Sequence, residues 1–293
     1  MNTIKKILLI SSTVIYGLLS VNSNIQASDD EQTTELTASE SVAIRQYVDE
    51  TMLGVLSADD CKYILSDAED NPIKELTEYV LTETSAIDGS VISEQVINQY
   101  ELLNYTLKNG STSTRTTPID IVETNMKKIT LRFTNLSFSQ KAVEIECKWL
   151  TIPKCKSYDL IGIRLTGGGI TLDNNSVKNI YGTQVYDGKT IEYTSSSDNM
   201  KKSNTGYGCS MNIVNTVKNS LVMTLAIKYV LKRDTASAAG SYQHATKELD
   251  LKTSQKYDIN FSGMGGVFDF KGNIASYYDN TPGLYIIGAV AEN

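Results

Sequence analysis

The sequence predicts an α+β protein in two parts, an acidic N-terminal helical region followed by an all-β antiparallel sandwich of jelly-roll or Ig-like type. The first observation is the distribution of charge. Residues 28–107 carry 18 acidic and three basic side chains, a net charge of −15, whereas residues 108–293 carry 22 basic and 16 acidic ones, a net charge of +6. The second is that the spacing of apolar residues changes from the helical period of about 3.6 to the strand period of about 2.

The first 27 residues have the pattern of a secretory signal peptide. Lys5 and Lys6 precede an apolar run at 7–21, and a polar stretch then ends at Ala27, the predicted cleavage site. The apolar run is about 15 residues long, and a membrane-spanning helix needs roughly 20. We therefore expect cleavage, an extracellular mature chain and no stable membrane span. An uncleaved membrane anchor is the alternative.

Residues 28–108 are expected to be helical. A capping-box pattern at 37–40 precedes a stripe of apolar residues at helical spacing, namely Ile44, Val48, Met52 and Val55. A second capping pattern at 57–60 precedes a short helix, and the Asn-Pro pair at 71–72 is typical of the start of a third. A fourth helix is predicted at about 90–108. The region is interpreted as a propeptide that docks electrostatically or as an independent acidic module.

A Gly/Ser/Thr-rich linker is predicted at 109–118, because nothing in it buries apolar surface. The β domain is expected over 119–293. Period-2 alternation begins at 129, Asp187-Gly188 predicts a hairpin turn, and 220–231 predicts a long amphipathic strand. The last strands are expected at 241–252, 257–262, 266–270 and 284–290. The lack of helical patterns between strands argues against a parallel α/β sheet.

The cysteines leave two interpretations open. Export makes disulfides possible, and four cysteines permit three pairings. Alternatively they are small buried apolar side chains. The four are Cys61, Cys147, Cys155 and Cys209. Their spacing fits no metal signature.

Three short segments resemble a family of secreted proteins of clostridial-type Firmicutes. They are Lys-Trp-Leu-Thr-Ile-Pro-Lys at 148–154, Ser-Tyr-Asp-Leu-Ile-Gly at 157–162 and Ser-Tyr-Gln-His-Ala at 241–245. The similarity would cover about residues 127–290. No activity is established for that family, so the resemblance implies export and a β domain and no catalytic residue.

His244 is the first candidate for chemistry, because it is the single histidine of the chain and histidine titrates near neutral pH. Nucleophilic catalysis would need a Ser or Cys beside it and an orienting acid. The sequence has no Gly-x-Ser-x-Gly motif and no papain-like cysteine context. A hydrogen-bonded structural histidine is therefore the favoured interpretation.

Carboxylates are the second kind of candidate. Glu144 and Glu146 share one strand face at a separation that suits glycoside hydrolysis. Lys148 continues that face, however, as in an ordinary solvated edge. Asp159 and Asp258 are interpreted as strand-end residues. No catalytic residue is assigned.

Two oxygen-rich segments, 173–175 and 198–199, are candidates for Ca²⁺, although neither has the spacing of a known calcium loop. Turn formation is their favoured role, and no metal ligand or other cofactor is assigned. The glycines at 167–169 lack the context of a phosphate-binding loop. Scattered basic residues argue against nucleic acid as a partner.

The favoured function is a non-enzymatic, secreted binding protein whose partner is an extracellular protein or polysaccharide. The first alternative is an extracellular carbohydrate-directed hydrolase. The second is a toxin-like, membrane-active β protein in which the long strand at 220–231 rearranges.

Overall fold

We describe a computed structural model of the chain. It describes residues 35–66, 73–85, 91–99, 101–102, 122–137, 139–166, 177–203, 206–214, 221–230, 237–260 and 266–287. All of them belong to one compact unit, residues 34–293. The predicted signal peptide with Ala27 and the predicted linker at 109–118 lie outside the described residues.

The described residues are mostly in antiparallel strands. The strands are β1 (Ile73–Ser85), β2 (Val91–Ile97), β3 (Val122–Asn135), β4 (Gln140–Trp149), β5 (Tyr158–Thr166), β6 (Val177–Tyr186), β7 (Lys189–Thr194), β8 (Met200–Lys202), β9 (Gly206–Asn212), β10 (Leu221–Val230), β11 (Ser237–Gln243), β12 (Tyr257–Ile259), β13 (Phe268–Phe270) and β14 (Leu284–Ile287). The helices are α1 (Ala38–Ile44), α2 (Glu50–Leu53), α3 (Ala58–Ser66) and α4 (Leu251–Ser254), with a 3₁₀ turn at Ile274–Tyr277. None of the helices within the described ranges has the length and apolar character needed to cross a lipid bilayer.

Two sheets share one hydrophobic core. The larger has seven strands in the order β2-β1-β3-β4-β10-β6-β7, and the smaller has five in the order β14-β11-β5-β9-β8. Alternate residues of both sheets point into this core, with Trp149, Ile161 and Leu225 among them. The mostly-β, antiparallel class expected from the sequence is confirmed.

Each sheet also has a covered outer face. Helices α1–α3 pack on the larger sheet, where their apolar side chains meet Ala142 of β4 and Ala226 of β10. The small β12–β13 hairpin and the 3₁₀ turn pack on the smaller sheet, where Tyr257 and Tyr278 meet Leu160 of β5. The middle strands of both sheets are therefore buried on both faces.

The helical expectation is confirmed for 38–66. Thr37 begins α1 with the capping box that the sequence predicts. Asp49 caps α2 by accepting a hydrogen bond from the Met52 amide at 2.8 Å. All members of the apolar stripe are buried, namely Ile44, Val48, Met52 and Val55.

The helix predicted from 71 onward is wrong, because 73–85 forms β1. The helix predicted at 90–108 is wrong over 91–97, which forms β2, whereas residues 99, 101 and 102 are helical as expected. β1 pairs with β3 from Ile73 opposite Thr134 to Ser85 opposite Val122. A ladder of this length satisfies the backbone along the whole strand and outweighs the local helix-start signal at 71–72. Residues 103–108 lie outside the described ranges.

Strands from both predicted parts therefore lie in one sheet. Ion pairs cross the charge division as well. Acidic side chains from before residue 108 meet basic ones from after it in Asp60–Lys228, Glu75–Arg132 and Glu94–Lys127. The charge division lies within one compact unit.

Two further sequence expectations have clear outcomes. The predicted Asp-Gly hairpin turn is confirmed, because Asp187 (φ 48°) and Gly188 (φ 77°) join β6 to β7 with the positive φ values of a type I′ turn. The strand predicted at 241–252 is wrong beyond Gln243, because the chain there turns away and forms α4.

All four cysteines are free thiols, and Cys61, Cys147 and Cys209 are buried. Cys147 and Cys209 belong to the core between the sheets. Burial raises the pKa of both thiols, which keeps them protonated at neutral pH. The structure thus follows the second interpretation of the cysteines, as small buried side chains.

The pair Asp60–Lys228 anchors the helices to the larger sheet. Both side chains are buried, and Asp60 also accepts hydrogen bonds from the Ser57 amide and hydroxyl. We expect Asp60→Ala to lower the free energy of unfolding by about 3 kcal/mol, because it leaves the Lys228 ammonium buried without its partner. Denaturant titration measures this. Asp269→Ala, at an exposed aspartate of β13, is the control and should change the free energy of unfolding by about 0.5 kcal/mol or less. Equal effects of both variants would contradict the anchoring role.

Candidate functional site

Charged and hydrogen-bonding side chains gather between the sheets in what we call the polar core cluster. Strands from both sheets and the segment before β14 supply it. Its members are Glu94, Lys127, Trp149, Asp159, Tyr242, His244, Asp279 and Thr281. Burying charge is costly unless every group has a partner, and the members of this cluster are hydrogen-bonded to one another.

The first half of the cluster surrounds His244. Its Nδ1 lies 3.0 Å from Asp159 Oδ1, which also accepts a hydrogen bond from the Ala245 amide at 2.8 Å. Tyr242 donates its hydroxyl proton to Asp159 Oδ2 and accepts a hydrogen bond from Trp149 Nε1 at 2.9 Å. Burial and the nearby Asp159 raise the pKa of Tyr242, which keeps the phenol protonated as a donor.

Asp159 is thus the orienting acid that catalysis at His244 would require, although the sequence suggested only a strand-end role for it. The arrangement is closed to substrate, however. His244 is 3% exposed, and the Trp149 ring packs edge-on against it with the ring centroids 4.9 Å apart. This geometry fits the favoured interpretation of a hydrogen-bonded structural histidine.

The second half of the cluster surrounds Lys127. The ammonium donates to Asp279 Oδ2 and lies 3.5 Å from Glu94 Oε1. It also lies 5.6 Å from the ring centroids of both Trp149 and Tyr242. Burial alone would lower the pKa of Lys127, but Asp279 and Glu94 outweigh it, so the pKa is raised.

Sequence reasoning missed Lys127, although the chain carries a signal for it. Lys127 has the same parity as Ile129, Leu131 and Phe133 on β3, so it points into the core. A lysine in register with an inward apolar stripe needs a buried acidic partner. The sequence does not indicate which acid pairs with Lys127, because Asp279 is 152 residues away.

Glu144 and Glu146, the predicted carboxylate pair, lie in different environments. Glu144 is buried and accepts a hydrogen bond from Arg132, which also donates to Glu75 Oε2 at 2.8 Å, whereas Glu146 is half-buried. Burial, followed by the neighbouring Asp49 carboxylate, raises the pKa of Glu144 despite Arg132. Glu144 is 1% exposed, so it cannot reach a glycosidic bond in this structure.

An open groove of about 800 Å³ runs along β1 on the outer face of the larger sheet. Glu75, Thr77 and Tyr79 alternate along the strand and share this face. Tyr79 lies opposite Lys128 of β3, and Glu101 also lines the groove. Among the described residues that line it, the groove is mainly polar and has one aromatic ring, that of Tyr79.

A helical turn stands at the edge of the groove. Asn98 and Glu101 start it by exchanging hydrogen bonds of 2.9 Å each, from backbone amide to side chain in both directions. Asn98 and Gln99 are exposed and line the groove with Glu101. The turn thus adds amide and carboxylate groups to the surface next to Tyr79.

The remaining candidates have structural roles where they are described. Asp198 accepts a hydrogen bond at its carbonyl from Gln255, and the Asn199 amide donates to the Ser210 carbonyl at 2.7 Å. Asp258 lies on the surface between Lys271 and Lys201. Within the described ranges, no three His, Cys, Asp or Glu side chains are arranged to hold a metal ion. Residues 167–169 and 173–175 lie outside those ranges.

Comparison with known proteins finds no family model that matches the chain and no curated protein similar to it. The site therefore has to be interpreted from its own geometry.

Tyr242 gives a direct test of the polar core cluster. We expect Tyr242→Phe to lower the free energy of unfolding by about 2 kcal/mol, because Trp149 Nε1 loses its acceptor and Asp159 loses a donor. Denaturant titration checks this. Tyr47→Phe serves as the control at a tyrosine that is 42% exposed; if both variants were equally stable, the hydrogen bonds of Tyr242 would contribute nothing.

Glu144 predicts a pH dependence. Its raised pKa means that the folded state keeps a proton that the unfolded chain releases above its ordinary pKa of about 4.3. The free energy of unfolding should therefore fall as the pH rises from about 4.3 towards the raised pKa. We expect Glu144→Gln to make this fall shallower in denaturant titrations at a series of pH values. Glu248→Gln, at an exposed carboxylate, should keep the wild-type slope, and an unchanged slope in Glu144→Gln would contradict the assignment.

Proposed function

We propose that this chain is a secreted, non-enzymatic binding protein, and that the groove along β1 holds a segment of an extracellular polysaccharide. The groove is the observation that carries the proposal. It is open, lies on a sheet face beside the covering helices, and combines the Tyr79 ring with carboxylate, amide, hydroxyl and ammonium groups. Secretion rests on the signal-peptide pattern that ends at Ala27.

The lining of the groove suits a sugar chain. A pyranose ring has an apolar C–H face and a rim of hydroxyl groups, and Tyr79 offers an apolar ring with a hydroxyl at its end. Glu75 and Glu101 supply acceptors, and Lys128 supplies donors. The volume of about 800 Å³ lies within the usual range for ligand sites.

The alternatives have less support. The hydrolase would need an accessible pair of carboxylates, and Glu144 of the suggested pair is buried against Arg132. The membrane-active protein would need the strand at 221–230 to leave the sheet, yet β10 is hydrogen-bonded to β4 and β6 along both edges and is buried on both faces. The family resemblance and the jelly-roll or Ig-like type remain predictions.

Tyr79 tests the groove. The probe is a set of insoluble polysaccharides (cellulose, chitin, xylan and peptidoglycan) that are sedimented with the protein. We expect one of them to retain the wild-type chain, and Tyr79→Ala to weaken that retention about tenfold, because it removes the ring against which a sugar packs.

Tyr47→Ala is the matched control, since Tyr47 is exposed outside the groove. Its retention should equal that of the wild type. Retention that is unaffected by Tyr79→Ala, or no retention on any of the polysaccharides, would contradict the proposal. Release of soluble sugar from a retained polysaccharide would favour the hydrolase.

A further inference from the structure

Lys127, Asp279 and Glu94 form a triad in the dry interior. Lys127 is 0% exposed and Asp279 is 1% exposed. The side chain of Glu94 is 8% exposed. The amine of Lys127 contacts the carboxyl group of Asp279, and Glu94 approaches the same amine from β2 at 3.5 Å. The rings of Trp149 and Tyr242 flank the amine, so little water can reach it.

The two oxygens of Asp279 have different surroundings. Oδ2 contacts Lys127, whereas Oδ1 accepts hydrogen bonds from the His244 amide at 2.9 Å and from the Thr281 hydroxyl at 3.0 Å. Two donors directed at one oxygen of a carboxyl group are the arrangement that stabilises negative charge during attack on its carbon. Oδ2 is therefore the oxygen placed to leave.

The hydrogen bonds of Thr281 indicate that one carboxyl group of the triad is protonated. Its Oγ1 lies 2.7 Å from Glu94 Oε1 and 3.0 Å from Asp279 Oδ1, but a hydroxyl has one proton to donate. Because the hydroxyl donates to Oδ1 of Asp279, its contact with Glu94 is a hydrogen bond only if Glu94 is protonated and donates to Thr281. One proton also balances the charge, because two carboxylates face one ammonium in a buried site.

From this geometry we infer that Lys127 and Asp279 condense into an intramolecular isopeptide bond, with Glu94 as the catalytic carboxylate. The site is thus a self-modification site of the folded chain, which goes beyond the binding function proposed above. It needs no cofactor and no second substrate.

The reaction balances within the triad. The Lys127 ammonium passes a proton to Oδ2 of Asp279, which it contacts, and the freed lone pair attacks Cγ of Asp279 to form the C–N bond. The displaced electron pair resides on Oδ1, where the His244 amide and the Thr281 hydroxyl hold it. Glu94 then passes its own proton to the Oδ2 hydroxyl, the C–O bond breaks, and Oδ2 leaves as one water molecule with these two protons. The nitrogen releases one of its two remaining hydrogens as a proton to Glu94, which is thereby restored. The product is a neutral secondary amide.

The environment favours the product. A buried amide carries no net charge, so it removes the desolvation cost of the Lys127–Asp279 ion pair. The bond would join β3 to the segment before β14 and so tie the larger sheet to the edge of the smaller one. A chain with four free thiols would obtain in this way the covalent restraint that exported proteins commonly take from disulfides.

Mass spectrometry of the purified full chain tests the inference. We expect the denatured wild-type protein to weigh one water molecule less than its sequence from the observed N-terminus. Tryptic digestion should give one branched peptide that contains both Lys127 and Asp279. Glu94→Gln and Lys127→Arg should each restore the full sequence mass, and the branched peptide should vanish.

Lys148→Arg is the matched control, because Lys148 is an exposed lysine on β4, the strand that pairs with β3; it should keep the mass loss. Circular dichroism shows whether each variant folds, and the wild-type branched peptide decides the matter if one does not. A wild-type mass equal to the sequence mass after prolonged incubation at neutral pH would overturn the inference. A mass loss that persists in Lys127→Arg would overturn it as well.

Discussion

The antiparallel ladder between β1 and β3 is the interaction on which the other features depend. It runs over the full length of β1 and joins chain from both sides of the charge division into one sheet. β2 pairs in turn with β1, and this brings Glu94 to within 3.5 Å of the amine of Lys127. The same ladder places Glu75 beside Arg132 and creates the strand face on which the groove lies.

Acidic side chains from before residue 108 form ion pairs with basic side chains from after it. The acidic excess before residue 108 is not a solvated surface alone, because Asp60 and Glu94 are drawn inside against lysines of β10 and β3. Exposed ion pairs contribute little to stability, whereas a buried pair is costly to break. The attraction suggested by the net charges therefore acts through a few buried contacts within one unit.

The polar core cluster explains why the middle of a β protein can hold so many polar groups. Each of Asp159, Tyr242 and Asp279 has a partner from another strand or segment, so their desolvation is compensated. The short contact that pairs Lys127 with Asp279 also places the amine of Lys127 next to the carboxyl carbon of Asp279. The site excludes water and holds a second carboxyl group, that of Glu94, so the ion pair of Lys127 and Asp279 also has the geometry needed for condensation.

Local patterns in the sequence were sufficient for features that depend on neighbouring residues. The capping box at Thr37, the Asp187-Gly188 turn and the alternation along β3 follow from side chains a few residues apart. They establish the helices at 38–66 and the mostly-β class. These signals act through interactions and dihedral angles of residues that are close in sequence, so they do not depend on tertiary contacts.

The tertiary structure alone decided the rest. Residues 73–85 and 91–97 carry weak helix signals, and the pairing of β1 with β3 and of β2 with β1 makes them strands, because a ladder satisfies the backbone along each strand. The pairing of Lys127 with Asp279, and of His244 with Asp159, joins residues 152 and 85 positions apart. One sequence holds the side chains for such sites, but only the packing of the two sheets determines which of them meet.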